Sequence, residues 1–157
     1  MPPRERKILA VLYVLLRNQG KKPRFLIVKD AAEHEWTFIS GTCEPREPYS
    51  KCAVREIWEE TRGLVSLSSL PKRTKSFSTN YKNKNVRVMF IPLRLTEDDM
   101  ARMAADFTQI ETYGRPELEE NTMLRFETMG QFMRRKHVWG FVKDLCQKDV
   151  FQGLCPK

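Results

Sequence analysis

The chain has 157 residues, a hydrophobic content of 41%, a charged content of 31% and a formal net charge of +8. This length fits one domain with its own core, and the composition is that of a globular protein, which excludes a disordered or fibrous chain. The positive charge favours an anionic partner such as a nucleotide, RNA, an inositol phosphate or an anionic membrane surface, without choosing among them.

The first third of the chain predicts three strands. The apolar run 8–16 is too short to span a bilayer, and no small-residue cleavage site follows it, so we predict a buried strand rather than a signal peptide. We therefore expect a cytoplasmic protein without a membrane anchor. A turn over 18–23 and a strand over 24–28 complete a hairpin, and a short strand over 36–39 runs into Gly41.

The next element is a helix that follows a proline-containing loop. Two prolines exclude a regular helix between 41 and 48. Ser50 is predicted to cap a helix that runs to about Arg62 and ends at Gly63.

The rest of the chain alternates strands and helices. The predicted elements are strands over 75–81 and 86–95 joined by a turn, a helix capped by Thr96, a strand over 124–126 and a helical segment over 128–148 that can break near Gly130 and Lys136. This order predicts an α/β or α+β sandwich.

The cysteines carry information about metal sites and compartment. They are Cys43, Cys52, Cys146 and Cys155, and no pair has the Cys-x-x-Cys spacing of a zinc site. A chain of this size does not need disulfides to fold. We therefore predict four reduced thiols in a cytosolic or nuclear compartment.

Three glutamates on the predicted helix carry the chemistry. Glu56, Glu59 and Glu60 stand at i, i+3 and i+4 and share one helix face, where each like-charged pair costs a few tenths of a kcal/mol. A bound cation removes that repulsion, and hard oxygen ligands suit Mg²⁺ or Mn²⁺. Arg55 lies on the flank, where it can orient one carboxylate. The alternative is a solvated acidic face balanced by Arg55 and Lys51.

The residues around this helix resemble the Nudix hydrolase box. Gly41 is followed by five residues and Glu47, and seven more residues lead to Arg55-Glu-Ile-Trp-Glu-Glu60. The family pattern has glycine, glutamate and Arg-Glu-aliphatic-x-Glu-Glu at the same spacing. The chain is therefore identified as a member of the Nudix family, with its box over 41–63.

One position departs from the family pattern. The family has glycine after the residue that follows Glu60, whereas this chain has Arg62 and then Gly63. The carboxylates lie upstream, so we expect them to keep their arrangement. The departure also raises an alternative of another class, a catalytically inactive Nudix module that binds RNA or protein.

The resemblance implies a Nudix-type α/β/α sandwich with a mixed central sheet, one domain over 1–157, and a pyrophosphohydrolase that uses Mg²⁺ or Mn²⁺. The implied metal ligands are the carbonyl of Gly41 and the carboxylates of Glu56, Glu59, Glu60 and Glu120. The implied catalytic residues are the three helix glutamates with Arg55 and Glu47, and Glu47 is expected to support the loop through Arg55. Glu119 is the alternative to Glu120, and the glutamate that activates water stays open.

Features outside the box favour RNA as the substrate. The basic clusters 82–87 and 134–136 can follow a phosphate backbone. Aromatic side chains near them can stack on a base, and those considered are Tyr81, Phe132 and Trp139. The predicted substrate-binding residues are Lys82, Lys84, Arg87 and Tyr81. The alternative is that the aromatic residues are core and the lysines are ordinary surface.

Residues near the box are also similar to the mRNA-decapping branch of the family. The segments 36–41 and 52–56 carry this similarity, which is closest to decapping enzymes of large DNA viruses such as poxviruses and asfarviruses. It implies capped RNA as the partner, methylguanosine diphosphate and 5′-monophosphate RNA as products, and the host cytoplasm as location. The alternative is a small-molecule Nudix hydrolase acting on diphosphoinositol polyphosphates or on damaged or dinucleoside nucleotides. No membrane partner is expected, and the oligomeric state stays open.

Overall fold

A computed structural model describes residues 4–17 and 20–157 of the chain. Its strands are β1 (Arg6–Val14), β2 (Arg24–Asp30), β3 (Trp36–Thr37), β4 (Ile39–Thr42), β5 (Lys75–Tyr81), β6 (Lys84–Leu93) and β7 (Asn121–Glu127). Its α-helices are α1 (Tyr49–Glu60), α2 (Glu97–Phe107), α3 (Met129–Met133), α4 (Gly140–Leu145) and α5 (Asp149–Leu154). A short 3₁₀ turn, Pro116–Leu118, precedes β7.

The strands form one mixed sheet around β1. The order along its main path is β3-β2-β1-β6-β5, while β4 pairs with β1 and β7 pairs with β2. β1 runs parallel to β6 along its whole length and antiparallel to β4 over its first half. Because β1 is paired on both sides and covered on both faces, its residues from Ile8 to Leu12 are completely buried.

Alternate residues of β1 feed two separate cores. Ile8, Ala10 and Leu12 pack in a cluster with side chains of α1 and α2. Leu9 and Val11 pack in a second cluster on the other face, with side chains of α3, α4 and α5. Helices therefore cover both faces of a mixed sheet, which confirms the predicted α/β/α sandwich.

The ends of α1 differ from the prediction. The helix begins at Tyr49 after Pro48, which has an extended backbone, so Ser50 lies inside the first turn and is not the cap. The helix ends at Glu60 because Arg62 and Gly63 both adopt left-handed backbone angles, with φ of 55° and 81°.

Later elements agree with the prediction except at their boundaries. The Thr96 cap of α2 is confirmed, since its side chain and that of Asp99 form a reciprocal capping box. The β5–β6 turn is shorter than predicted, because Lys82 and Asn83 both have positive φ and close it in two residues. The predicted break near Lys136 is confirmed, because non-helical residues around His137, with φ of 63°, separate α3 from α4, whereas Gly130 lies inside α3.

At the start of the chain, the predicted strand 8–16 lies two residues earlier, as Arg6–Val14. Two residues of the predicted hairpin turn, Asn18 and Gln19, lie outside the described residues. No helix in the described part of the chain is long and apolar enough to cross a membrane.

The prediction of four reduced thiols is wrong for one pair. Cys43 and Cys52 form a disulfide, because the loop after β4 folds back onto the first turn of α1 and brings their Cα atoms to 5.3 Å. Cys146 and Cys155 are free thiols. Cysteine usage therefore does not indicate a reducing compartment.

Candidate active site

Two glutamates of α1 turn inward, towards β4 and the start of β7. Glu56 and Glu60 lie one helical turn apart and are only 6% and 5% exposed, whereas Glu59 is half-buried. Oxygens of Glu56, Glu60 and the exposed Glu120 lie within 4.8 Å of one another. The structure thus brings together two of the predicted helix carboxylates and the predicted downstream one. Packing three carboxylates without a cation carries a large desolvation and repulsion cost.

Gly41 makes this arrangement sterically possible. A Cβ atom built on Gly41 would overlap the carboxyl group of Glu56. Strand β4 therefore passes so close to α1 that any side chain at this position would displace that carboxylate. The predicted role of the Gly41 carbonyl as a metal ligand stays a prediction.

Arg55 joins the loop before α1 to the helix. Its Nε and Nη2 donate to the two carboxylate oxygens of Glu47 at 2.9 and 2.8 Å, and its Nη1 donates to Glu56 at 2.9 Å. Its Nη2 also donates to the Thr42 carbonyl at 3.2 Å, and its Nη1 lies 3.4 Å from Glu59. The hydrogen bonds from Arg55 hold the pKa of Glu47 below its usual value, so Glu47 stays ionised.

Asn121 is a site residue that sequence reasoning missed. It is 4% exposed, and its Nδ2 donates to Glu60 Oε1 at 3.0 Å and lies 3.4 Å from the Glu60 carbonyl. The other carboxylate oxygen of Glu60, Oε2, is buried and has no hydrogen-bond partner among the described residues. A buried acceptor needs a donor or a cation, so this oxygen suits the role of a cation ligand.

Burial and repulsion disturb the ionisation of the buried pair. Burial raises the pKa of Glu56 to about 7, Arg55 partly offsets the rise, and the nearby carboxylates of Glu59 and Glu120 add to it. Burial also raises the pKa of Glu60 well above its usual value, against the hydrogen bond from Asn121. Both carboxyl groups therefore favour the protonated form more than an ordinary glutamate does, and a bound cation would favour their anions.

Glu120 is the exposed carboxylate of this cluster, and its pKa is also raised. Its pKa is raised by desolvation and by the carboxylates of Glu59 and Asp30, and Lys7 partly offsets the rise. The donor set is therefore all oxygen and anionic, which fits a hard divalent cation. The cysteine-containing group Cys43, Glu47 and Cys52 does not offer such a site, because both thiols are in the disulfide.

The raised pKa values predict how the metal-free protein responds to pH. Glu56 and Glu60 bind protons more tightly when folded than at their ordinary value near 4.5, so the folded state holds more protons above that pH. The contribution of these two carboxyl groups to the free energy of unfolding is complete below about pH 4.5 and falls as the pH rises towards 7. We expect the melting temperature in a chelator to fall from about pH 5 to about pH 8, and to fall less in Glu56→Gln. Thermal scans at several pH values measure this, and a wild-type melting temperature that rises over the range contradicts it.

The predicted substrate-binding residues do not share one surface. Tyr81 packs against the core cluster under α3–α5, with ring centroids 5.3 Å from Trp139 and 4.6 Å from Phe141. Arg87 lies on the opposite face of the sheet, over the ring of Tyr49 at 5.3 Å.

The two lysines of this set lie near the β5–β6 turn. Lys82 lies over the Tyr81 ring at 5.3 Å, and Lys84 lies 3.5 Å from a carboxylate oxygen of Glu5. Lys7 is a further cation near this surface, and it was not predicted from the sequence. Its ammonium group lies 6.0 Å from the Trp139 ring, and its charge acts to lower the pKa of Glu120.

Two of the other residues considered for RNA have structural roles. Phe132 is completely buried, so it is unavailable for stacking on a base. Arg135 lies over the Trp36 ring at 3.9 Å and forms two hydrogen bonds with Glu127, at 2.7 and 2.6 Å. The cluster 134–136 therefore offers fewer free charges to a ligand than its sequence indicates.

Comparison with protein families gives a match, whereas comparison with curated proteins gives none. A family model described as the NUDIX domain matches residues 6–135, which is most of the chain. No curated protein matches the chain.

Several solved structures are similar to the whole fold. The Ap4A hydrolase of C. elegans has a TM-score of 0.58 at 15% identity, over 97% of this chain and 96% of that one. The NUDIX domain of Shewanella oneidensis NrtR, complexed with ADP-ribose, has a TM-score of 0.58 at 10% identity, over 97% and 86%. The C-terminal domain of mouse MUTYH, complexed with human PCNA, has a TM-score of 0.57 at 16% identity, over 99% and 94%. At such identities the likeness is one of fold.

Proposed function

Because the chain belongs to the NUDIX domain family and is a hydrolase acting on pyrophosphate bonds, we propose that it works through a divalent metal ion held by glutamates of α1. The proposed ligands are Glu56, Glu59, Glu60, Glu120 and the Gly41 carbonyl. The observation that carries the proposal is the convergence of three carboxylates, one of which, Glu60, has a buried oxygen that no donor in the described part of the chain reaches.

The proposed reaction adds water across a P–O–P linkage. The water oxygen bonds to one phosphorus, the bridging oxygen leaves with the other, and the proton of the water passes to a carboxylate of the cluster. A bound divalent cation supplies neutralisation of phosphate charge and a lower pKa of the attacking water. Arg55 and Glu47 hold the loop before α1 against the helix. The exposed Glu120 lies on the side from which the substrate would enter.

For the substrate we propose a capped RNA, cleaved to methylguanosine diphosphate and 5′-monophosphate RNA. The support is a half-buried aromatic cluster, Tyr81, Trp139 and Phe141, with the Lys7 ammonium group 6.0 Å from the Trp139 ring. The charge of Lys7 also acts to lower the pKa of Glu120. Such a cluster can stack on a base while the ammonium group meets phosphate. The net charge of +8 suits a polyanion.

The second candidate is a small nucleotide substrate. The fold is shared with a hydrolase of Ap4A and with a domain complexed with ADP-ribose. The aromatic cluster serves either substrate, since both contain a base.

RNA labelled in the cap phosphates separates the two candidates. With Mg²⁺ or Mn²⁺ we expect release of labelled methylguanosine diphosphate, and we expect Trp139→Ala to raise KM about tenfold with little change in kcat, because base stacking contributes roughly 1–3 kcal/mol. Tyr113→Ala removes a ring that is 89% exposed and is the matched control. Turnover of Ap4A, ADP-ribose or diphosphoinositol polyphosphates with capped RNA untouched contradicts the RNA proposal. Failure to turn over any of these substrates leaves the inactive module as the better account.

A further inference from the structure

Arg62 occupies the position where the family pattern has glycine. Its φ of 55° is a left-handed angle that glycine adopts freely and arginine does not. The backbone exit from α1 is thus the one that a glycine would take, and the glutamates of the helix stay converged. The side chain must supply whatever offsets the unfavourable backbone angle.

The guanidinium group of Arg62 binds three carbonyls from three separate segments. Nη1 donates to Phe107 at the end of α2, Nε to Leu118 in the 3₁₀ turn, and Nη2 to Asn121 at the start of β7. The three distances are 2.9, 2.9 and 2.8 Å. The group also lies 4.1 Å from the centroid of the Phe107 ring. A planar group with several fixed donors suits this task, whereas a lysine ammonium is a single point charge.

Two of these carbonyls bracket Glu120. Leu118 precedes it by two residues and Asn121 follows it directly, so Arg62 holds the backbone on both sides of the third carboxylate. Asn121 in turn binds Glu60 with its side chain. The loop 116–121 is therefore fastened to the C-terminal end of α1 by one arginine and one asparagine.

We propose that Arg62 is a positioning residue that holds Glu120 against the α1 glutamates and thereby sets the affinity of the site for a divalent cation. This inference rests on the proposed metal-dependent function. Removing Arg62 should therefore weaken cation binding because Glu120 is no longer held in place, and not only because the fold is less stable.

Direct Mn²⁺ binding, measured by electron paramagnetic resonance of the free ion, tests the proposal without requiring turnover. Arg62→Gly keeps a residue suited to the positive φ, and we expect it to weaken Mn²⁺ binding at least tenfold. Arg62→Lys is expected to recover only part of this loss, because one ammonium group cannot bind three carbonyls at once. The matched control is Arg102→Ala, which removes an exposed arginine of α2 paired only distantly with Asp99, at 3.8 Å, and should bind Mn²⁺ like the wild type.

A double-mutant cycle separates positioning from general destabilisation. If Arg62 acts through Glu120, Arg62→Gly should weaken Mn²⁺ binding much less in a Glu120→Gln background than in the wild type. Additive losses, or Mn²⁺ binding within twofold of wild type in Arg62→Gly despite a lower melting temperature, overturn the inference alone. A wild-type protein that binds no Mn²⁺ overturns the proposed function and the inference with it.

Discussion

Replacing Glu60 by glutamine is expected to lower kcat/KM about 10³-fold, which is roughly 4 kcal/mol of transition-state stabilisation. The same change should raise the melting temperature of the metal-free protein at neutral pH. Glu60 is buried, its pKa is raised well above the usual value, and its Oε2 has no hydrogen-bond partner among the described residues. Glutamine has nearly the same shape, so it removes the anionic ligand and the cost of its burial together.

Opposite changes in activity and stability distinguish this result from misfolding. Kinetics with saturating metal and thermal scans in chelator measure the two effects on the same preparation. Glu117→Gln, in the 3₁₀ turn at the surface, is the matched control and should change neither. Full activity in both Glu59→Gln and Glu60→Gln would show that the metal binds elsewhere.

Gly41→Ala is expected to lower kcat/KM by about 10²-fold while the fold is kept. The added methyl group would occupy the space of the Glu56 carboxyl, which must then move. A displacement of about 1 Å in a catalytic arrangement is enough for a loss of this size. The side chain can rotate away without moving the backbone, so we expect circular dichroism to remain that of the wild type.

Gly153→Ala provides the comparison for a methyl group added where there is room. Gly153 lies in α5, and a Cβ atom there would meet nothing within 4 Å. Alanine should slightly stabilise this helix and leave kcat/KM unchanged. Equal activity of Gly41→Ala and wild type would mean that the position of the Glu56 carboxylate does not matter for turnover.

The local parts of the structure could be predicted because they depend on nearby residues. The spacing of Glu56, Glu59 and Glu60 places them on one face of α1 in any helix. Thr96 and Asp99 form a capping box from residues three apart. The alternation of buried residues in β1 likewise follows from strand geometry, and so the two-faced core could be expected.

The parts that were missed depend on contacts between distant residues. Asn121 lies 61 residues after Glu60, and nothing in its sequence neighbourhood indicates a buried partner. The three carbonyls that bind Arg62 belong to segments that only the folded chain brings together. The Cys43–Cys52 disulfide likewise requires the loop to fold back onto α1.

The grouping of Lys84 with Arg87 in one basic cluster had a local signal against it. Lys84 and Arg87 both lie on β6 and stand three positions apart, so strand geometry places their side chains on opposite faces of the sheet. A run of charges along a strand, such as 82–87, is therefore divided between two faces and is not one basic surface. The proposed substrate surface therefore uses Lys7 and Trp139 and leaves out Arg87, which lies on the other face of the sheet over Tyr49.

The most direct test of the account is hydrolysis of a pyrophosphate-linked substrate by chelator-treated protein during a titration with Mg²⁺ or Mn²⁺. Capped RNA and Ap4A are the substrates to compare, with wild type and Glu60→Gln assayed in parallel. We predict no turnover in chelator, saturable recovery of wild-type activity as metal is added, and almost none in Glu60→Gln. Wild-type turnover that persists in chelator, or recovery that is equal in both proteins, would contradict a metal site at the α1 glutamates.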